Sequence, residues 1–66
     1  MFIKEDLLGF FESMMELEVK QRDTFMGLAA DIDDPDIKNI LKRIGNDEQS
    51  HMGLVQRIID LLNSVN

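Results

Sequence analysis

A single proline, Pro35, divides a chain of 66 residues into two segments of nearly equal length. It stands in the run Asp31-Ile32-Asp33-Asp34-Pro35-Asp36, the clearest break in the sequence. An aspartate followed by proline is typical of a helix N-cap and the first helical position. Asp36 adds negative charge to the first turn, where the helix dipole favours it. The sequence therefore predicts two helices joined by a short turn.

The predicted single domain spans 1–66, with a first helix at about 4–31, a turn at 32–34 and a second helix at about 35–64. Residues spaced alternately by four and three positions form one seam along a helix. The first helix carries such a seam at Leu7, Phe11, Met14, Glu18, Gln21, Phe25, Leu28 and Ile32. The seam of the second helix comprises Ile37, Leu41, Ile44, Glu48, His51, Val55, Ile58, Leu62 and Val65, with Ile40, Leu54 and Leu61 widening it.

The small size of the chain predicts an oligomer. A domain of this length buries only about 60% of its unfolded surface, and such chains usually need disulfides, a metal or association. The sequence contains no cysteine, so disulfides and thiolate metal sites are excluded. A hairpin of two amphipathic helices also leaves part of each apolar stripe in water. We therefore expect an all-α antiparallel hairpin that forms a homodimer, or a higher even oligomer, with a four-helix bundle.

The charge balance argues against nucleic acid as a partner. Thirteen acidic residues against seven basic ones give a net charge of −6, whereas phosphate binding needs a basic surface. No apolar stretch approaches the roughly 20 residues of a membrane span, and the N-terminal residues do not resemble a signal peptide. These features, together with the absence of cysteine, favour a cytoplasmic protein without a membrane partner.

Three ionisable residues, Glu18, Glu48 and His51, interrupt the apolar seams and are predicted to face the bundle interior. A buried charge costs several kcal/mol unless it is paired, hydrogen-bonded or bound to metal. In an antiparallel hairpin, two residues lie level when their midpoint in sequence falls at the turn. The midpoints of Glu18 with Glu48 and with His51 are 33 and 34.5, so all three are predicted to lie level, roughly 20–25 Å from the turn.

The residue types and their count predict a di-metal centre. Glu48 and His51 form a Glu-x-x-His pair on one helix face. In di-iron four-helix bundles, two helices supply one Glu each and the other two supply one Glu-x-x-His each. Two copies of this chain would supply that set with no residue left over. Carboxylate and imidazole ligands suit iron or manganese, and zinc is possible; Asp47, Gln21 and Arg22 are near enough to support the ligands.

These residues resemble the ferritin-like and rubrerythrin superfamily, more narrowly the half-ferritins such as the encapsulated ferritin-like proteins. The resemblance rests on Glu18, on Glu48-Gln49-Ser50-His51 and on the neighbouring Ile44, Gly45, Asp47 and Leu54. It implies ferroxidase chemistry with Fe(II) and dioxygen or peroxide at the dimer interface. It also implies bridging or chelating roles for Glu18 and Glu48, and a terminal ligand role for His51. The chain lacks the extra C-terminal helix and targeting tail of the encapsulated proteins and the cysteine-rich domain of rubrerythrins.

Other interpretations of the same residues remain open. Rubrerythrin-like peroxide reduction would use the same site and an external reductant. In a metal-free helical dimer that serves as an interaction module, the three residues would form a polar network that fixes register. Taken singly, Glu18 is a natural ion-pair partner for Arg22 one turn later. The helical glycines Gly45 and Gly53 either allow close helix approach, open a path to the site or are simply tolerated.

Overall fold

A computed structural model of the chain describes residues 3–65. Within this range the protein is all-helical, with α1 at Lys4–Asp31 and α2 at Pro35–Asn63. The short connection turns the chain back on itself, and Lys4 Nζ donates a hydrogen bond of 2.6 Å to the carbonyl of Val65 at the other end. The predicted helical hairpin is therefore confirmed. The predicted domain also includes residues 1, 2 and 66, which lie outside the described range.

The turn is formed by local capping interactions. The Asp34 carboxylate accepts hydrogen bonds from the backbone N–H groups of Asp36 (2.9 Å) and Ile37 (3.0 Å). These bonds satisfy two of the free donors at the start of α2, and Pro35 occupies its first position, where no donor is needed. By contrast, α1 begins after Ile3 without a side-chain cap. The Asp34–Pro35 pair therefore fixes the boundary between the helices.

The core between the two helices is thin. Among the described residues, Ala29, Val55 and Ile59 are the buried hydrophobic side chains. Gly45 is also buried, and a Cβ atom placed there would lie 2.8 Å from Cε of Met26. The glycine therefore lets the Met26 side chain lie directly against the backbone of α2.

The hairpin is a slender rod of 50 × 16 × 14 Å with a radius of gyration of 15.2 Å. A compact chain of this length would have a radius of about 11 Å. The accessible surface is 5063 Å², compared with about 4,300 Å² for an average monomer of this mass. The excess of about 800 Å² is close to the area that each partner buries in a standard protein interface.

Large hydrophobic residues are exposed along both helices. We define the open apolar face as the ten large hydrophobic residues that are 37–63% exposed: Ile3, Phe10, Leu17, Leu28, Ile37, Ile40, Leu54, Ile58, Leu61 and Val65. Ile37, Ile58 and Val65 of the predicted α2 seam are thus exposed in the single hairpin, as expected if part of each stripe is left for a second copy. The buried residues of α2 are Gly45, Val55 and Ile59.

The exposed residues of both helices lie on the same flank of the hairpin. At about 100° per residue, Ile40 and Ile58 lie about 20° to one side of His51 around α2, and Ile59 lies about 80° to the other. Around α1, Phe10 lies about 80° to one side of Glu18. On both helices, the exposed residues are reached from the packed residues by turning in the same direction about the helix axis, viewed from N- to C-terminus. Because the helices are antiparallel, the two exposed stripes form one continuous surface.

Neither helix in the described part of the chain is both long enough and apolar enough to cross a membrane.

Candidate metal centre

Glu18, Glu48 and His51 come together at the middle of the rod. Glu18 lies midway along α1, and the other two residues lie near the midpoint of α2. His51 follows Glu48 by three residues, so both point from the same side of α2. One ligand atom from each of the three residues lies within 4.8 Å of the others.

The distances within this triad are too long for direct hydrogen bonds to the imidazole. Nδ1 of His51 lies 3.8 Å from Oε2 of Glu18 and 3.9 Å from Oε1 of Glu48. The two carboxylate side chains are 17% and 16% exposed, whereas His51 is 55% exposed. The carboxylates therefore lie in the cleft between the helices, and the imidazole lies at its rim on the open apolar face.

Two carboxylate oxygens of this cluster have no partner. Oε2 of Glu18 and Oε2 of Glu48 are both buried and make no hydrogen bond. Burying an acceptor without a partner is unfavourable, so these atoms call for a cation or a donor. The pKa of Glu48 is raised, first because a protonated Glu48 can donate a hydrogen bond to the adjacent Glu18 carboxylate, and then by burial and by the negative charge of Glu18. His51 opposes this rise, and the charge of Asp47 adds to it.

The donor set fits a metal ion. Two ligands of one ion at 2.0–2.2 Å lie no more than about 4.4 Å apart. The separations between the imidazole and the two carboxylates fall within this limit. Carboxylate oxygens together with an imidazole are typical ligands of iron, manganese and zinc. Because His51 lies at the exposed edge of the cleft, the three residues of one chain would surround a metal ion from one side only.

Of the residues predicted to support the site, Arg22 makes the clearest contacts. Its guanidinium donates to Oε1 of Gln49 at 2.8 Å and to Sδ of Met52 at 3.6 Å. It also pairs with Asp23 at 3.0 Å rather than with Glu18. Gln49, which appears in the sequence motif, was not among the residues predicted to support the site, although it accepts this hydrogen bond from Arg22. The only sequence signal for it is its position directly after Glu48.

Comparison of the chain with protein-family models, with curated proteins and with solved structures gives no match to any of them. The resemblance to ferritin-like proteins thus depends on the pattern of residues alone and stays a prediction.

Proposed function

We propose that the chain is one half of a di-metal carboxylate protein that oxidises or handles Fe(II) with dioxygen or peroxide. Two copies would pack through their open apolar faces into a ferritin-like four-helix bundle and complete the site between them. The observation that carries this proposal is the pair of buried, unpartnered Oε2 atoms of Glu18 and Glu48. Nδ1 of His51 lies 3.8 Å from that oxygen of Glu18 and 3.9 Å from the other oxygen of Glu48, Oε1.

The position of His51 links the site to the dimer. Its side chain is more than half exposed in one chain and points from the same side of α2 as the exposed residues Ile40, Leu54 and Ile58 of the open apolar face. A second copy on this face would cover the imidazole together with its apolar neighbours. The same packing would bring two triads to the same height, because each triad lies at the middle of its rod.

The stoichiometry of the pair supports two metal ions. Two chains supply four carboxylates from Glu18 and Glu48 and two imidazoles from His51. Four negative charges balance two divalent cations, so the buried charge that is unfavourable in one chain is compensated in the loaded dimer. When bound, the metal ions supply the redox chemistry with dioxygen or peroxide. The chain itself supplies the ligands, the spacing and the apolar cover.

The decisive experiment is an anaerobic Fe(II) titration monitored by native mass spectrometry, followed by exposure to air and ultraviolet–visible absorbance. We expect about one iron per chain, bound by a dimer, and a ferric absorbance that grows after oxygen is admitted. Glu18→Gln should abolish the stoichiometric binding. The matched control is Glu16→Gln, an exposed acid two residues earlier on the same helix, which should bind as the natural chain does. Equal binding by both variants would refute the site.

The open apolar face also favours a second candidate function, a metal-free helical dimer that acts as an interaction module. A face of ten exposed hydrophobic residues is sufficient reason for association without any metal. This alternative predicts that the dimer binds no iron and that a chelator leaves its stability unchanged.

A further inference from the structure

We propose that Gln49 and Asp23 hold the guanidinium of Arg22 away from Glu18 and thereby keep the carboxylates of the site available to cations. This inference concerns residues outside the ligand triad, and it rests on the proposed function. Local helix geometry would pair Arg22 with Glu18, a proposed metal ligand. The contacts of Arg22 with Asp23 and Gln49 therefore determine whether Glu18 is free to bind a cation.

Local helix geometry alone would pair Arg22 with Glu18. The two residues are four positions apart on α1 with the acid nearer the N-terminus, which is the arrangement that favours a helical ion pair. Glu18 is 17% exposed, so a charge pair there is screened less than one at the surface. Arg is always charged at accessible pH, so the pairing would compete with metal at any pH.

The structure shows a different set of contacts. NH2 and Nε of Arg22 lie 3.0 and 3.1 Å from Oδ1 of Asp23. NH1 reaches across to α2 and donates to Oε1 of Gln49 at 2.8 Å, with the sulfur of Met52 at 3.6 Å. Each nitrogen of the guanidinium is therefore engaged, while Oε2 of Glu18 has no partner.

The Arg22–Gln49 bond lies on the side of the hairpin opposite the open apolar face. Around α2, Gln49 is about 160° from His51, and it is exposed to solvent. Arg22 is 28% exposed and crosses the hairpin to reach it. The positive charge of Arg22 is thus fixed behind the carboxylates, and the cation side of the site remains the face that carries His51.

The test is a set of variants in which the same arginine is released and then removed. Asp23→Ala with Gln49→Leu removes both side-chain acceptors that hold the guanidinium, and Arg22→Met removes the guanidinium but keeps an apolar stem. Co²⁺ is the probe, and its affinity for the site is measured by calorimetry and by visible absorbance. Gln56→Leu, an exposed glutamine two turns further along α2, is the matched control.

We expect the Asp23→Ala/Gln49→Leu variant to bind Co²⁺ about tenfold more weakly. Addition of Arg22→Met to that variant should restore the affinity of the natural chain. Arg22→Met alone should bind at least as tightly as the natural chain, and Gln56→Leu should bind equally. This rescue distinguishes the proposal from a simple structural clamp, in which every loss of the Arg22–Gln49 bond weakens binding further.

Three outcomes would overturn the inference. The first is that the released variant binds Co²⁺ as tightly as the natural chain does. The second is that adding Arg22→Met to the released variant fails to restore its Co²⁺ affinity. The third is that Arg22→Met alone weakens binding more than about threefold at unchanged helix content. The last measurement decides the matter even if the released variant does not fold. A natural chain that binds no Co²⁺ would instead refute the proposed function, and this inference with it.

Discussion

Glu18 and Glu48 face each other across the hairpin, and each keeps one buried carboxylate oxygen without a hydrogen-bond partner. They come from different helices and lie level because the turn at Asp34 and Pro35 falls halfway between them. The stability, metal affinity and association of the hairpin are expected to depend on this pair and on the exposed apolar flank near His51.

The first prediction concerns pH. The pKa of Glu48 is raised in the folded chain, so its contribution to stability is fully present below its unfolded pKa and is lost as pH rises through its folded pKa. Glu48 should therefore make the metal-free protein more resistant to urea at about pH 4–5 than at pH 7. Glu48→Gln should flatten that part of the profile. A metal-free profile that is identical in the variant would contradict the assignment.

Metal binding should depend on pH in the opposite direction. The ligands must be deprotonated to bind, and the hydrogen bond that a protonated Glu48 can make with Glu18, together with burial, raises the pKa of Glu48. Co²⁺ affinity should therefore rise as pH increases from about 5 to 7, when measured by calorimetry in a non-coordinating buffer. Affinity that is constant over this range would show that the carboxyl pair is not the site of binding.

The second prediction compares two glycines of α2. A Cβ atom at Gly53 would meet nothing within 4 Å, whereas one at Gly45 would meet the Met26 side chain at 2.8–3.1 Å. Gly53→Ala should raise the free energy of unfolding by up to about 1 kcal/mol through helix propensity. Gly45→Ala should gain less, because Met26 must shift. Urea denaturation of both variants measures the difference, and an equal gain would show that the contact costs nothing.

The third prediction concerns the open apolar face. Ile58→Glu places a charge on this face, and burying an unpaired charge costs several kcal/mol. The proposed dimer should therefore weaken by about 100-fold or more, measured by sedimentation equilibrium. Arg57→Glu, an exposed neighbour outside the apolar face, is the control and should leave association within about a few fold. An unchanged dimer in Ile58→Glu would place the interface elsewhere.

The fourth prediction concerns how the two rods are oriented in the proposed dimer. The turn carries Asp31, Asp33, Asp34 and Asp36, so two turns at the same end would bring eight carboxylates together. Like charges repel, and we expect the turns at opposite ends. Nitroxide labels on Asp33→Cys, in a chain without other cysteines, should then lie roughly 50 Å apart, the length of the rod. A label distance below about 20 Å would show adjacent turns.

Much of this fold follows from the sequence because its strongest signals are local. Asp34 and Pro35 cap α2 through contacts within three residues, so the boundary between the helices is fixed without tertiary information. The level position of Glu18 and Glu48 then follows from arithmetic along two straight helices. The predicted grouping of these two residues with His51 needs nothing beyond that turn.

The parts that the sequence does not determine depend on contacts between the helices. Adjacent apolar pairs such as Ile58 and Ile59 give α2 two neighbouring seams, and periodicity cannot decide which of them packs inside the hairpin. The structure buries Ile59 and exposes Ile58. Arg22 shows the same limit, because local spacing pairs it with Glu18 whereas the structure pairs it with Asp23 and with Gln49 of the other helix.

The thin core between the helices has a consequence for protein supply. With Ala29, Val55 and Ile59 as its buried hydrophobic side chains, a single hairpin has little free energy to resist unfolding. If pairing provides the remainder, stability depends on the concentration of the chain itself. Scarce copies would then be unfolded and cleared by proteolysis faster than abundant ones. A twofold rise in synthesis would then raise cellular abundance more than twofold near the concentration at which chains pair. Metal binding would lower that concentration.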